Sequence, residues 1–296
     1  MRLFEKNITE QENGWTAEQV LRRCLGLSTT RIKRAKFRPD GILLDGVRIN
    51  TAQQVRLGQH LELHLPELEE NCLESAPGAV DIIYEDEWLL VVNKPAGLPV
   101  HPGPGHYADT LGNRLAGFYR QRGEELVFRP VNRLDKGTSG LMLCAKRAES
   151  HEALQNLLHT DEFQRDYLAL LSRAPRPPRG TVDTPIAPVP GALNCYRTDP
   201  EGKNAKTDYV TLQSRSDGAL VQLRLHTGRT HQIRVQFSSR ALPLAGDVKY
   251  GSRYRDCALA LWSHALGFRH PATGEAMSFS AMPEAVFPWN GFEYFK

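Results

Sequence analysis

Between Arg129 and Lys146 the chain places a short apolar run, Leu141 to Ala145, directly after a polar turn of small residues, Gly137, Thr138, Ser139 and Gly140. The apolar run has the pattern of a buried strand. At its mouth stands an acid, Asp135, between two cations, Arg133 and Lys136. Backbone N–H groups and hydroxyls of such a turn can fix a carboxylate's orientation, which suits chemistry at a strand end. The same residues also suit an exposed acid that does no more than cap a turn.

A chain of 296 residues accommodates one large domain and a small one, or two domains. With 41% hydrophobic and 24% charged residues it can bury a sizeable core. No apolar run approaches the ~18 residues of a membrane span. The first residues carry no signal-peptide pattern, so a cytoplasmic protein without a membrane partner is expected. The five cysteines, at 24, 72, 144, 195 and 257, are odd in number and widely spaced, which argues against a disulfide framework and a zinc site. His101 and His106 share a Pro/Gly loop, a spacing more often incidental than metal-binding. No metal is expected.

The net charge of +3 hides an uneven distribution. Residues 14–66 carry nine Lys/Arg against four Asp/Glu, residues 67–87 carry eight acids and no Lys/Arg, and residues 88–296 carry twenty-six Lys/Arg against nineteen acids. Two basic modules joined by an acidic connector fit a polyanionic partner.

In the first module, Thr16 with Gln19 predicts a capping box opening a helix that ends at Gly26. Ser28 or Thr29 should open a second helix, Thr30 to Lys36. Between Gln19 and Pro39 stand Arg22, Arg23, Arg31, Lys33, Arg34, Lys36 and Arg38, with no acid among them. Asp45-Gly46 predicts a hairpin, and Leu61, Leu63 and Leu65 a closing strand. Residues 1–13 read as a polar lead-in that could add a strand to this module. A basic helix on a small hairpin platform can neutralise RNA phosphates; the plainer reading is a solvated helix face. Residues 67–79 read as a linker that lets the modules move.

From Val80 onward, strands are expected at 81–84, 89–92, 141–145, 165–171, 206–213 and 220–225. Helices are expected from a cap at Asp109 through Phe118, over 149–159, and around Ile233 and Phe237. Residues 173–196 form a Pro/Gly/Arg-rich excursion that either touches RNA or bridges the sheet.

Asn132-Arg-Leu-Asp-Lys-Gly-Thr-Ser-Gly140 resembles the signature of the RluA family of RNA pseudouridine synthases, His-Arg-Leu-Asp, two variable residues, then Thr-Ser-Gly. Asn132 stands where the family has His and retains hydrogen-bonding capacity. Further blocks match in the family's order: Asn93-Lys-Pro-Ala-Gly97 with Val100-His-Pro102, Tyr167 with Ala169 in the family's Lys-x-Tyr-x-Ala (Arg165 replaces the Lys), Gly228-Arg-Thr-His-Gln-Ile-Arg234, Leu244 to Gly251, and Leu266 to Glu275. The resemblance spans about residues 80 to 284. The helix–helix–hairpin order of residues 14–66 resembles the S-four-type RNA-binding domain common at the start of such enzymes.

These resemblances imply an α/β (α+β) fold: a mixed, largely antiparallel sheet flanked by helices around a central cleft in residues 80–296, plus a small N-terminal α+β domain. They imply an isomerase that converts uridine to pseudouridine, an exchange needing no redox change, group donor or cofactor. Asp135 would be the central carboxylate, acting on C1′ or on the C2′ proton. Arg229 would be its neighbouring cation, since a cation within about 4–6 Å lowers a carboxylate's pKa; otherwise it is a phosphate contact. Tyr167 would stack on the uracil and help remove the C5 proton, and would otherwise be a core residue. Arg133 would contact the extruded nucleotide or fill the space it leaves. His231 and Gln232 suit capping or packing roles. The partner is RNA, ribosomal RNA ahead of transfer RNA, and a monomer is expected. Two competitors are a non-catalytic RNA-binding factor, favoured by Asn132 alone, and an RNA hydrolase, which would need a second positioned acid or base.

Overall fold

The computed structural model describes the chain except for residues 1, 28–31, 33, 34, 37, 39, 66–72, 104, 159 and 296. The chain divides into two compact units, Met1–Asn71 and Cys72–Lys296.

In the first unit, β1 (Arg2–Asn7), β2 (Ile42–Leu44), β3 (Val47–Arg48) and β4 (His60–Leu65) form an antiparallel sheet of order β1-β4-β2-β3. The lead-in thus supplies an edge strand, with Phe4 opposite Leu63. Helix α1 (Ala17–Arg23) opens as expected. Thr16 Oγ1 accepts from Gln19 N at 3.3 Å, and Gln19 Oε1 accepts from Thr16 N at 2.8 Å. Asp45 and Gly46, at φ 52° and 77°, make the tight turn between β2 and β3. Val20, Leu21, Ile32, Ala35, Ile42, Leu44, Leu61 and Leu63 form the core. Ile32, Ala35 and Lys36 are helical. The expected start of that helix, with Arg31, Lys33 and Arg34, lies outside the described residues.

The second unit is built on a ten-stranded sheet. Its strands are β5 (Asp81–Glu85), β6 (Leu89–Lys94), β7 (Arg129–Pro130), β8 (Ser139–Ala145), β9 (Gln164–Leu171), β10 (Arg179–Asp183), β13 (Lys206–Arg215), β14 (Gly218–Leu225), β15 (Leu261–Arg269) and β16 (Ala276–Ser280). The order is β10-β13-β14-β9-β15-β8-β6-β5, with β7 on β8 and β16 on β15. Strands β11 (Ile186–Pro188) and β12 (Tyr196–Thr198) pair separately. Every pairing in the large sheet is antiparallel except β15 with β8. The sheet is therefore mixed and largely antiparallel, as the family resemblance implied.

Strand β8 is buried throughout. Met142 and Cys144 share one core cluster with Leu111 and Leu115 of helix α2 (Leu111–Gln121); the cluster extends to Ile233 and Phe237 of helix α4 (Gln232–Ser238), whose Phe237 meets Tyr209 of β13 edge-on. Leu141, Leu143 and Ala145 pack with helix α3 (Ala148–Leu157) through Leu154. The alternation of a strand sends successive side chains to opposite faces. A strand with helices on both faces is consequently a continuous apolar run.

Two expectations are corrected. Helix α2 is capped by Thr110, not Asp109: Thr110 is buried and forms the capping box with Asn113, while exposed Asp109 pairs with His106 at 2.6 Å. Residues 73–79 are not free connector, because Asn113 Nδ2 donates to Glu74 O at 2.7 Å and Ala76 N to Asn113 O at 3.0 Å. The excursion at 173–196 contains the sheet's edge strand β10 and most of the β11–β12 hairpin. Among the described residues no helix is long and apolar enough to cross a membrane.

Candidate active site

The site gathers at the mouth of β8, where this strand runs parallel to β15. Ser139 faces Trp262 and Gly140 faces Ser263 in register, and Ser263 faces Tyr167 on β9. Tyr167 is thus two strand spacings from Gly140, about 10 Å.

The turn carrying Asp135 is held from below. Thr138 N donates to Asp135 O at 3.1 Å, and Gly97 N to Lys136 O at 2.8 Å. Lys94, fully buried at the end of β6, donates through Nζ to Pro95 O and Leu98 O at 2.8 Å and to Lys136 O at 3.3 Å. Burial pushes its ammonium down to about 8, against the opposing pull of Asp135. The Asn93-Lys-Pro-Ala-Gly97 block is therefore the clasp of the Asp135 turn. Asn132 is buried as well, and its Oδ1 accepts from Leu143 N at 2.8 Å. In this chain the position usually held by His pins the turn to β8.

Asp135 Oδ2 accepts from Arg234 Nη1 at 3.0 Å. Arg234 also donates through Nε and Nη2 to the two oxygens of Asp247, at 2.8 and 2.9 Å. Asp247 is 2% exposed, so the fork is fixed by a buried bidentate pair and one remaining nitrogen is aimed at Asp135. Burial opposes the charge of Arg234, but the bonds from Asp247 and the Asp135 carboxylate outweigh it and raise its pKa. Among the described residues, no hydrogen bond reaches Asp135 Oδ1.

The cation beside Asp135 is thus Arg234 and not Arg229. Arg229 precedes α4, and its Nε donates to Asn204 O at 2.9 Å. Gln232 accounts for the local shape: its Oε1 accepts from Thr227 Oγ1 and Arg229 N, and its Nε2 donates to Lys206 O and Thr207 Oγ1. That is the packing role expected of Gln232. Both arginines lie in one sequence block, and only the starting point of α4 decides which side chain faces the sheet.

Tyr167 is buried on β9, and burial raises its phenol pKa while Arg165 pulls the other way. Of the capping and packing roles expected of it, His231 takes the second: its side chain makes no cap bond, and its ring packs edge-on against Tyr196 and Tyr250. It adopts φ 58°, a left-handed conformation uncommon outside glycine. This aims Nε2 at Asp135 Oδ2, 3.7 Å away, and sets Nδ1 2.7 Å from Tyr250 Oη. Tyr250 Oη in turn accepts from Tyr196 N at 3.1 Å. Burial lowers the His231 pKa; Arg234 and Lys249 add to this, while Asp135 and Asp247 oppose it. The sequence contained His231 but not its proximity to Asp135, which depends on the backbone turn before α4.

Arg133 and Lys136 flank Asp135 and are exposed, and Lys136 Nζ lies 3.0 Å from His106 Nε2. In the first unit, Arg22, Arg23 and Lys36 are exposed, with Arg23 over the Trp15 ring, and Arg38 pairs with Asp40 at 3.4 Å. Among the described residues no group of three or more His, Cys, Asp or Glu could hold a metal ion. The arrangement offers one carboxylate with one oxygen bound by a fixed guanidinium, and a buried aromatic ring nearby.

Residues 88–239, which include Asp135, Tyr167 and Arg234, match the model of the RNA pseudouridylate synthase family. The chain is 37% identical to "Uncharacterized RNA pseudouridine synthase YlyB" of Bacillus subtilis (strain 168), over 95% of this chain and 90% of that one. It is 34% identical to "Ribosomal large subunit pseudouridine synthase D" of Zymomonas mobilis subsp. mobilis, over 94% and 93% of the two chains. Among solved structures it resembles human RNA pseudouridylate synthase domain containing 4, with a TM-score of 0.56 and 27% identity over 69% of this chain and 89% of that one. The fold, the Asp135 turn and these relatives agree: the chain belongs to the RNA pseudouridine synthase family.

Proposed function

We propose that the second unit converts particular uridines of ribosomal RNA to pseudouridine at Asp135. The reaction breaks the N1–C1′ bond, turns the uracil and joins C5 to C1′; the C5 proton leaves and N1 gains one, so no oxidant or donor is consumed. Asp135 acts on the sugar through its unbound oxygen, Arg234 holds the carboxylate in place, and Tyr167 lies against the base and assists proton loss from C5. Arg133, exposed beside the acid, meets the extruded nucleotide. The observation that carries this reading is the Asp135–Arg234 bond at 3.0 Å, made inside the family-matched segment. Ribosomal RNA is supported by the name of the Zymomonas relative. The basic stretch 14–66 of the first unit, proposed as an S-four-type module, adds affinity for RNA.

The non-catalytic reading rested on Asn132, which here serves the fold by binding Leu143 N. The hydrolase reading gains His231 near Asp135 but leaves Tyr167 without a role. RNA labelled with tritium at uridine C5 separates the three. Isomerisation releases tritium and leaves the RNA intact, binding alone releases none, and hydrolysis fragments the RNA. The Asp135→Asn protein should fold, bind RNA as before and release no tritium. Near-normal release by a folded Asp135→Asn protein would reduce Asp135 to a turn cap, a role Asn fills equally well.

A further inference from the structure

Arg165 stands two residues before Tyr167 on β9 and shares its face of the sheet, by the alternation that also places Ala169 and Leu171 in the same core. It is 5% exposed. Its Nε is buried without a hydrogen-bond partner, and among the described residues no hydrogen bond or ion pair reaches its guanidinium. Its neighbours are the Phe163 ring, 5.9 Å from Cζ, and Gly228, where even a Cβ would lie only 3.0 Å from Nη1. The adjacent carboxylate, Asp166, faces the opposite way and is bound by Arg224 at 2.7 Å through both its oxygens. The other buried cations of this unit are compensated, Lys94 by three carbonyls and Arg234 by two carboxylates.

A guanidinium this far withdrawn from water, with its Nε buried and no acceptor on the protein among the described residues, is costly. The cost is relieved if an anion enters beside it. RNA brings one at the right scale: one strand repeat, about 6.6 Å, separates positions 165 and 167, comparable to the span from a nucleotide's base to a phosphate flanking it. We propose that Arg165 is a substrate-binding residue that receives the phosphodiester flanking the target uridine while Tyr167 meets the base. The planar fork of arginine suits two phosphate oxygens at once, which a lysine ammonium at this position would meet only as a point charge. This inference rests on the RNA-isomerase reading.

The test uses the full chain, its Arg165→Met and Arg165→Lys variants, and C5-tritiated ribosomal RNA from cells lacking the enzyme. A short RNA spanning the modified uridine then carries a neutral methylphosphonate at one flanking phosphate at a time. Arg165→Met should melt at or above the wild-type temperature, because an uncompensated charge is gone, while its KM for RNA rises roughly 10- to 100-fold. Arg165→Lys should recover part of that deficit. One methylphosphonate should weaken the wild type by a similar factor and leave Arg165→Met unchanged. Arg165→Met melting well below wild type with KM unaltered would make Arg165 a packing residue and overturn the proposal. So would methylphosphonate effects of equal size in both proteins. A wild type that releases no tritium from any RNA would instead sink the isomerase reading, and the Arg165 assignment with it.

Discussion

His231 shows what one residue's backbone conformation does for the site. Its φ of 58° costs conformational energy that a glycine would avoid, and it brings an imidazole to 3.7 Å from Asp135. The ring lies edge-on between Tyr196 and Tyr250. Burial lowers its pKa below the ordinary 6.5, with Arg234 and Lys249 adding to the effect and Asp135 and Asp247 opposing it. The sign of the consequence follows from linkage. Above about pH 6.5 the ring is neutral in folded and unfolded chains alike, and contributes no pH dependence. As pH falls below that value, the unfolded chain takes up a proton that the folded one resists, so stability drops. The wild type should therefore lose more unfolding free energy between pH 7.5 and 5.5 than His231→Gln does, as measured by denaturant titration at each pH. Equal decreases would mean that the ring titrates as freely in the folded protein as in the unfolded chain.

At the scale of elements, β8 was legible and its surroundings were less so. An apolar run of five residues after a Thr-Ser-Gly turn identifies a buried strand with an acid at its mouth, because both faces of that strand carry helices. The small residues of the turn acquire a second reason in the structure. Gly140 has φ 103°, and a Cβ there would run into Ser263 O and lie 2.7 Å from Ser263 N on β15. The close parallel approach of β8 and β15, which brings Asp135 and Tyr167 into one site, depends on that missing side chain. Gly140→Ala should destabilise the fold by about 3 kcal/mol or more, combining backbone strain with overpacking against a strand that cannot yield. A melting temperature within a degree or two of wild type would show that β15 moves aside. Pairing across the sheet also explains what the sequence concealed. Arg229 and Arg234 are equivalent by residue type, and the choice between them depends on where α4 begins and which strands it covers. Likewise Asp109 and Thr110 are both good caps, and burial decided for the threonine. The linker reading failed over 73–79 because Pro77-Gly78 and the lack of apolar periodicity reveal nothing of backbone bonds, and this segment docks through its backbone on Asn113.

At the scale of the whole molecule, the run of seven cations between Gln19 and Pro39 and the chemistry at Asp135 are separated along the chain. The residues around Asp135 all belong to the unit Cys72–Lys296, which has its own core. Met1–Asn71 contributes a second core and the cations Arg22, Arg23, Lys36 and Arg38, together with Arg31, Lys33 and Arg34 of its sequence. If those cations serve RNA affinity, deleting residues 1–71 should leave a folded protein that still isomerises uridine in a short RNA at high concentration. Its affinity for long ribosomal RNA should fall, and the fall should be electrostatic. Each phosphate that is no longer neutralised flattens the slope of log K against log salt by about 0.7 to 0.9. The combined effect of several cations is readily resolved between about 50 and 200 mM salt, a range in which phosphate neutralisation governs binding. Weaker binding with an unchanged salt slope would mean that the first unit recognises RNA by shape and not by charge. Abolished turnover in a truncated protein that melts cooperatively would show that the first unit completes the site, and the separation of affinity from chemistry would fail.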